Sequence, residues 1–465
     1  MTATATEPEK SPTTDTTVMR ALRRLRVPQT QRNRELGLLV FALIVIAAAV
    51  ALVELGTSGT LNPQIFVYAG IPAALAITLH VVLRFQARDA DPFVLPIATL
   101  LTGLGIAEIY RIDIANEQQG WDAFSAKQLA WAAIATAGAL AVVLLLRNYR
   151  VLFRYTYIFG FVGIGLLMLP FVPGLGTNQN ANVWVSVGGL FTFQPGELAK
   201  IALAIFFAGY LVRTRESLTS VGTRFLGMTW PRARELGPLL VLWLISLGII
   251  VLQRDLGTGL LIFGMFVAML YVATGKTSWV LIGVVLVATG AFFASRVLPY
   301  VGARFNNWLD AFNPELMDNS SFQLVQGIFG LAQGGLIGTG LGRGRPYLTP
   351  VAESDYIFPS LGEELGLIGV FAILALYMVF ASRGIRIGVA GQDDFGKLLA
   401  VGLSFTIALQ VFIMVGGVTR LIPLTGLTTP FLAAGGSSLI ANWLIVAVLL
   451  RISDAVRSRP RVVIG

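Results

Sequence analysis

Long apolar runs separated by short polar segments dominate the chain from residue 36 onward. The runs are near 20 residues and are continuous rather than alternating, and about 20 residues in a helix cross roughly 30 Å of hydrocarbon. Lipid cannot satisfy backbone polar groups, so spanning elements are helices or closed barrels, and continuous runs favour helices. The pattern predicts an all-α polytopic membrane protein with about twelve transmembrane helices. We place these spans at residues 36–55, 64–84, 92–110, 127–146, 154–171, 195–213, 236–253, 257–274, 279–297, 361–381, 397–418 and 430–452.

The composition supports a membrane protein and excludes several chemistries. Apolar residues make up 55% of the chain and charged residues 13%, with a mean hydropathy of +0.75, whereas soluble domains carry about 25% charged residues. The chain has no cysteine, which excludes disulfides, thiolate catalysis and Cys-ligated metal. The single histidine, His80, excludes a His-cluster metal site and is predicted to be structural.

The basic residues indicate the topology. Most of the 34 Lys and Arg fall in the N-terminal tail and in the connecting segments on its side of the membrane, as the positive-inside rule requires of the cytoplasmic side. Both termini are therefore predicted to be cytoplasmic, and the longest loop, 298–360, extracytoplasmic. The net charge of +9 indicates contact with membrane lipids, and no nucleic-acid partner is expected.

Four segments organise the chain. Residues 1–35 are predicted to be a disordered basic cytoplasmic tail, followed by a helix pair at 36–90 whose first run is a span rather than a cleaved signal peptide. Residues 91–453 form the membrane core, and 454–465 a second cytoplasmic tail.

A charged pair interrupts the apolar pattern at Arg254 and Asp255, between two predicted spans on the outer side. An ionised side chain deep in a bilayer costs roughly 2.5–3.5 kcal/mol on insertion scales, so such groups lie at mouths, in cavities or against partners. We interpret this stretch as a helix–turn–helix corner with Asp255 at its tip. Asp255 is either a reactive carboxylate or a loop acid that solubilises the turn.

A second constellation opens the sixth span, where Pro195 suits a first helical turn. Glu197 faces the positive end of the helix dipole, and Glu197 and Lys200 share a helix face near the outer surface. They form either a self-neutralising pair that packs helices or the polar wall of an outward-facing cavity. The amide-rich loop 173–193 is either a binding surface or a turn-rich cap.

The long outer loop carries further candidates. Its glycine-rich run at 334–345 ends in Arg343 and Arg345, which either hold a pyrophosphate or are simple surface charges. The run follows no strand and lacks the Lys-Ser/Thr ending, which excludes a nucleotide-binding loop. Asp355, Glu363 and Glu364 stand near the tenth span, where carboxylates either complement a helix dipole or hold a divalent cation.

Residues 419–431 form a Pro- and Gly-interrupted approach to the last span, followed inside it by the pair Ser437 and Ser438. Broken helices at membrane depth line cavities rather than lipid, and small residues also permit close helix packing. Both interpretations remain open.

Together these motifs resemble the SEDS (shape, elongation, division and sporulation) family over residues 91–453. The matching motifs are QPGELAK at 194–200, DLGT at 255–258, WLD at 308–310 with NP at 313–314, GGL at 334–336 with GLG at 340–342, DYIF at 355–358, GEELG at 362–366, and PLTG at 423–426 with GGSS at 435–438. The extra N-terminal helix pair is similar to that of the family's actinobacterial RodA branch, and the division-type FtsW branch is the near alternative. The chain departs from the usual family residues at Arg254, Glu353, Ala433 and Ala434.

The resemblance implies a peptidoglycan glycosyltransferase that polymerises lipid II at the outer face of the cytoplasmic membrane during elongation. It implies a class B penicillin-binding protein as partner, lipid II and the nascent glycan strand as ligands, and membrane lipids as surroundings. It places the essential acid at Asp255 and the polar pair at Glu197 and Lys200.

Further substrate contacts are expected among polar residues of the outer face: Gln194, Arg343, Arg345, Asp355, Glu363, Glu364, Ser437 and Ser438. A divalent cation, Mg²⁺ or Mn²⁺, is a possible cofactor with Asp255 or Glu363 as its ligand, and no organic cofactor is expected. A lipid II flippase and a non-catalytic scaffold for the penicillin-binding protein are the alternatives from other functional classes.

Overall fold

The computed structural model describes residues 30–177, 183–187, 191–219, 223–225, 228–230, 241, 244–249 and 251–458. Ten helices in the described part of the chain are long and apolar enough to cross a membrane, and two shorter apolar helices, Thr156–Phe171 and Leu244–Gln253, lie where the remaining spans were predicted. The chain is therefore an all-α, multi-pass membrane protein, as the pattern of apolar runs predicts.

The helices are numbered here in chain order. They are α1 (Thr30–Thr57), α2 (Ile65–Tyr68), α3 (Gly70–Gln86), α4 (Val94–Ala115), α5 (Phe124–Leu145), α6 (Val151–Arg154), α7 (Thr156–Met168), α8 (Pro195–Thr219), α9 (Leu244–Gln253), α10 (Leu256–Thr274), α11 (Ser278–Val297), α12 (Pro299–Leu309), α13 (Pro314–Met317), α14 (Phe322–Gly334), α15 (Ile357–Ala390), α16 (Asp394–Val418) and α17 (Gly436–Arg457). Two short antiparallel hairpins pair β1 (Val185–Val187) with β2 (Phe191–Phe193) and β3 (Thr223–Phe225) with β4 (Met228–Trp230).

Some predicted features lie outside the described residues. These include most of the first tail, the end of the second, parts of the cytoplasmic segment 213–234 and the start of the span at 236–253. Part of the amide-rich loop 173–193 also lies outside, and its described part holds the β1–β2 hairpin.

Ionic contacts gather the helix ends predicted to be cytoplasmic. Asp91, before α4, accepts hydrogen bonds from Arg383 of α15 and Arg457 of α17. His80 is buried, and its Nδ1 lies 2.7 Å from Glu35 Oε1. The second contact joins α3 to α1, which is a structural role for His80, and Arg457 Nη1 also donates to Gln31 Oε1 at 2.8 Å, which ties α1 to the core.

The predicted span at 361–381 is part of a longer helix with a break. Helix α15 runs from Ile357 to Ala390, and within it Gly366 adopts φ 68° and ψ −174°, a conformation available essentially to glycine alone. The glycine-rich run lies along this break, where Thr339 N–H donates to Glu363 O at 3.0 Å and Gly340 N–H to Glu364 O at 2.9 Å. Carbonyls that the break would leave without a helical partner are thereby satisfied.

The last predicted span begins six residues late. We predicted 430–452, whereas α17 is Gly436–Arg457 and residues 419–435 are largely irregular. Core side chains bind this irregular backbone: Gln128 Nε2 donates to Ala433 O at 3.0 Å, and Tyr377 Oη donates to Pro430 O. Because the surrounding helices satisfy its carbonyls, the segment is tolerated within the core.

Candidate active site

Asp255 is the N-cap of α10. Its Oδ1 accepts a hydrogen bond from Thr258 N–H at 3.0 Å. The preceding Arg254 has φ 60°, which turns the chain sharply between α9 and α10, and its guanidinium stacks over Tyr300 with Cζ 5.8 Å from the ring centroid. The helix–turn–helix corner predicted from the sequence is therefore present, with Asp255 at its tip.

The environment of Asp255 favours proton uptake. Its side chain is half-buried, and burial raises the pKa of its carboxyl above the usual value, against the lowering effect of the hydrogen bonds from Thr258. The charge of Glu197 raises the pKa further, and that of Arg304 lowers it. A carboxylate with a raised pKa is a better proton acceptor than an exposed aspartate.

Gln194 connects Asp255 to two other helices. Its Nε2 lies 3.4 Å from Asp255 Oδ2, a long hydrogen bond, and its backbone N–H donates to Ser437 Oγ at 2.8 Å. Since Gln194 directly precedes α8 and Ser437 lies in the first turn of α17, these contacts bring the starts of α8, α10 and α17 together.

Glu197 and Lys200 form a buried ion pair below this junction. Lys200 Nζ lies 2.6 Å from Glu197 Oε2, and the two residues are 1% and 5% exposed. Lys200 Nζ also donates to Gln410 Oε1 at 3.0 Å, and Gln410 Nε2 donates to Thr428 O at 2.9 Å. The pair therefore joins α8 to α16 and to the irregular segment 419–435, and its ammonium already has two partners.

Ser438 continues the polar wall on α17. Its Oγ accepts from Thr428 Oγ1 at 3.1 Å and from Asn442 Nδ2 at 3.3 Å. The structure thus places Ser437 and Ser438 beside Gln194 and the irregular segment. Together with Asp255, these three residues form the Asp255 cluster.

Asp355 lies in the same electrostatic neighbourhood. Burial raises its pKa to about 6, with a further contribution from the charge of Glu353 and an opposing one from Arg304. Arg304 therefore acts on both Asp255 and Asp355, and its Nη1 donates to Thr425 O at 3.0 Å. This cation comes from α12 in the outer loop.

Glu363 and Glu364 bind the glycine-rich run. Glu364 accepts from the N–H of Gly342 at 2.8 Å and of Gly344 at 3.1 Å, and Glu363 Oε1 accepts from Arg345 N–H at 2.6 Å. Glu364 also pairs with Arg111 at 3.0 Å. Both carboxylates are buried and hold a loop in place.

Asp355, Glu363 and Glu364, one alternative for a divalent cation, do not come together as a metal site. Among the described residues, no group of three or more His, Asp or Glu side chains could hold a metal ion. Asp355 lies near Arg304 and Glu353, while Glu363 and Glu364 are engaged by backbone N–H groups. The side chains present therefore do not fit a divalent cation held by three carboxylates.

Arg343 and Arg345 are exposed at the outer surface. In the part of the chain that the structure describes, no ion pair engages either guanidinium, and no hydrogen bond joins them to the cluster around Asp255. They are cations free to meet an anionic ligand, held on a loop that Glu363 and Glu364 fix.

Four polar residues in and around the site were not predicted from the sequence. Gln410 is a lone amide within an apolar span, and such intramembrane polar groups signal a function or a partner. Arg111 and Arg304 were counted only as outer charges. Glu108 is fully buried beside Arg111, and neither of its carboxylate oxygens has a hydrogen-bond partner among the described residues.

The outer loop also forms an open cavity of about 490 Å³. It is lined by Trp308, Leu309, Phe312, Ile328, Leu331, Thr419 and Arg420. None of the predicted site residues lines it, so it is a surface apart from the Asp255 cluster.

Comparison with known proteins shows the family to which the chain belongs. Residues 92–458 match the family model described as cell cycle protein and named for FtsW, RodA and SpoVE. Peptidoglycan glycosyltransferase RodA of Mycobacterium tuberculosis (strain ATCC 25618 / H37Rv) is 43% identical over 440 residues, 93% of each chain. Stage V sporulation protein E of Bacillus subtilis (strain 168) is 34% identical over 378 residues, 79% of this chain and 98% of the relative.

Two solved structures share the fold. RodA of Thermus thermophilus superposes with a TM-score of 0.52 at 23% identity, covering 80% of this chain and 98% of that one. A chain from a peptidoglycan synthase complex that coordinates polymerization and crosslinking superposes with a TM-score of 0.61 at 23% identity, covering 79% and 98%. At such identities the likeness concerns the fold alone.

Proposed function

The chain belongs to the SEDS family of cell cycle proteins related to FtsW, RodA and SpoVE, and we propose that it is a peptidoglycan glycosyltransferase that polymerises lipid II during elongation. One observation carries the proposal. Asp255, a half-buried carboxylate with a raised pKa, caps a helix at the predicted outer surface beside polar groups from two further helices.

Asp255 is the general base in the proposed reaction. The acceptor sugar hydroxyl attacks the anomeric carbon of the lipid-linked donor, and its proton passes to the Asp255 carboxylate. The new bond joins the acceptor oxygen to the anomeric carbon, and the bond from that carbon to the pyrophosphate oxygen breaks. A single displacement of this kind inverts the anomeric configuration.

The leaving group is undecaprenyl pyrophosphate, whose negative charge requires cations. Lys200 is buried and already paired with Glu197 and Gln410, so in this proposal it orders the wall of the site. Arg343 and Arg345, exposed and without an ion pair in the described chain, are the cations that receive the pyrophosphate. Gln194, Ser437 and Ser438 offer polar contacts to sugar.

The proposed reaction contains no step that involves a divalent cation, and a requirement for one is tested in the assay. The donor set argues against a site of three carboxylates, and Mg²⁺ is commonly held by substrate phosphates with few protein ligands. Polymerisation is measured with Mg²⁺, with Mn²⁺ and with a chelator. Loss of polymer with the chelator indicates an ion that arrives with the pyrophosphate, and an unchanged rate indicates that no ion is required.

The proposed partner is a class B penicillin-binding protein that cross-links the glycan as it forms. The support is indirect, since a structural neighbour of this fold comes from a peptidoglycan synthase complex. The nascent glycan strand and the surrounding membrane lipids are the remaining contacts.

The test uses the full-length chain, purified with its class B partner and given lipid II in the presence of Mg²⁺ or Mn²⁺. Glycan polymer is followed on a gel for the wild type and for Asp255→Ala. Polymer from the wild type and none from the folded variant supports the transferase. No polymer from either chain in an intact complex favours a flippase or a scaffold, and vesicle-based lipid II translocation then separates these two.

A further inference from the structure

The N-terminal helices α1–α3 lie outside the matched family core, which begins at residue 92. The mycobacterial relatives align over 93% of the chain, so their alignment includes most of α1–α3, which form the N-terminal helix pair predicted at residues 36–90. A role in the reaction would require the pair to contact the proposed site.

Such a contact exists at the outer end of α1, where Gly56 touches the glycine-rich run. A Cβ added to Gly56 would lie 2.4 Å from Leu341 O and 2.9 Å from Gly342 Cα. Conversely, a Cβ added to Gly342, whose φ is +82°, would lie 2.8 Å from Val53 O and 3.0 Å from Gly56 Cα. The two backbones are in direct contact, and a single methyl group at Gly56 would separate them.

The outer end of α1 is itself fixed to the core. Tyr110 of α4 donates its hydroxyl to Glu54 Oε1 at 2.5 Å, and Glu54 is 1% exposed. The Tyr110 ring stacks on Tyr68 of α2 with centroids 4.0 Å apart. Because α1 and α2 both contact the same core tyrosine, the outer end of α1 is attached to the core.

The opposite side of the run is equally fixed. Arg111 donates to Gly344 O at 2.7 Å and to Glu364 Oε1 at 3.0 Å, and Glu364 accepts from Gly342 N–H. Along this short stretch buried and exposed residues alternate, so that Gly342 and Gly344 are enclosed while Arg343 and Arg345 are exposed. The run is clamped between α1 and the break in α15. Leu336 and Ile337 are exposed earlier in the run, and over residues 342–345 the two arginines are the exposed residues.

We infer that the N-terminal helix pair positions Arg343 and Arg345 for the lipid-linked pyrophosphate, with Gly56 as the positioning residue. The inference rests on the proposed function and deepens it, since it assigns the extra helices a task in donor binding. A displacement of about 1 Å in a binding group costs on the order of 100-fold in rate at worst. We therefore expect Gly56→Ala to lower kcat/KM for lipid II by about tenfold, mainly through KM.

The matched control is Gly37→Ala on the same helix. A Cβ at Gly37 meets nothing within 4 Å, and both substitutions replace a helical glycine by alanine, which by itself favours the helix. Polymerisation by the full-length complex is measured for both variants. We expect Gly37→Ala to match the wild type.

Two further readouts distinguish positioning from general damage. In an Arg343→Gln/Arg345→Gln background, Gly56→Ala should cause no further loss, because the groups it displaces are gone. The chain has no cysteine, so a spin label on Arg343→Cys reports the position and mobility of the loop independently of activity. Its spectrum should change with Gly56→Ala but not with Gly37→Ala.

Tyr110→Phe, which loosens the same support without adding an atom, should also raise KM and replaces Gly56→Ala if that variant does not fold.

The inference is overturned if Gly56→Ala stays within twofold of Gly37→Ala, if the spectrum is unchanged, or if the loss persists undiminished in the double arginine variant. A wild-type complex that makes no polymer instead overturns the proposed function itself, and this inference with it.

Discussion

The buried pair of Glu197 and Lys200 offers a test of structure against chemistry. Removing one member of a buried ion pair leaves an uncompensated charge and costs about 3–5 kcal/mol. Since the two residues are 5% and 1% exposed with Nζ and Oε2 2.6 Å apart, we expect the loss of stability in Lys200→Met to fall in this range. Glu197→Gln is expected to cost a similar amount, because it leaves the ammonium buried with only amide partners.

The double variant Glu197→Gln/Lys200→Met removes both charges and should recover most of the stability. Recovery should be incomplete, because Gln410 Oε1 loses the donor it has in Lys200 Nζ, at a cost of about 1–3 kcal/mol. Thermal unfolding of the four proteins in one detergent gives the double-mutant cycle and its coupling free energy.

Polymerisation by the same four proteins then separates the roles. If the pair only orders the wall of the site, the double variant regains activity along with stability. If it also contacts substrate, stability returns and activity does not. An unchanged Tm for Lys200→Met would show that the substitution leaves no buried charge unpaired.

Two further predictions concern the carboxylates of the outer loop. Burial raises the pKa of Asp355 to about 6 in the folded chain, against 3.8 as its ordinary value, so the folded state binds this proton more tightly than the unfolded state. The contribution of Asp355 to the free energy of unfolding is therefore greatest below about pH 4 and declines as the pH rises to about 6. Above that pH it is lower by about 3 kcal/mol. Asp355→Asn should therefore be more stable than the wild type at pH 7.5, with the difference in Tm vanishing near pH 4, and equal pH slopes for the two proteins would contradict this. Glu364→Gln should lower the Tm more than Glu363→Gln, because it removes the charge that is hydrogen-bonded to the Arg111 guanidinium, which is 4% exposed, at a cost of up to about 3–5 kcal/mol. A glutamine at 363 can still accept from Arg345 N–H. Equal losses from the two variants would show that the Arg111–Glu364 pair contributes little.

The spans and the corner at Asp255 follow from the sequence because their causes are local. A run of about 20 apolar residues has one stable form in lipid, and an aspartate before Leu-Gly-Thr is a strong N-cap signal. Glu197 and Lys200 could likewise be paired from their helical spacing alone.

The start of the last helix could not be predicted this way. Residues 431–434 are apolar and read as helix, yet Gln128 and Tyr377 bind the local carbonyls in an irregular conformation. The deciding partners lie far away in the sequence, and tertiary contacts override local preference.

The role of Glu363 and Glu364 was hidden for the same reason. Two adjacent acids at a helix start look alike whether they complement a dipole, bind a metal or hold a loop. The hydrogen bonds from Gly342, Gly344 and Arg111 depend on how the glycine-rich run folds along the break at Gly366. Only the three-dimensional arrangement distinguishes the three possibilities.

In the proposed reaction, the Asp255 carboxylate accepts the proton of the attacking hydroxyl. Asp255→Asn tests it most directly, because asparagine caps a helix as well as aspartate does but is a very poor base. The chain provides a matched control in Asp393, which caps α16 by accepting from Gly396 N–H at 3.0 Å on the predicted cytoplasmic side.

The measurement is the rate of lipid II polymerisation by the full-length complex for the wild type, Asp255→Asn and Asp393→Asn, with the Tm of each recorded. A general-base role of Asp255 predicts similar Tm values for all three proteins, polymer from the wild type and Asp393→Asn, and a loss of rate of at least about 100-fold for Asp255→Asn. Polymerisation by a folded Asp255→Asn at the wild-type rate would contradict it.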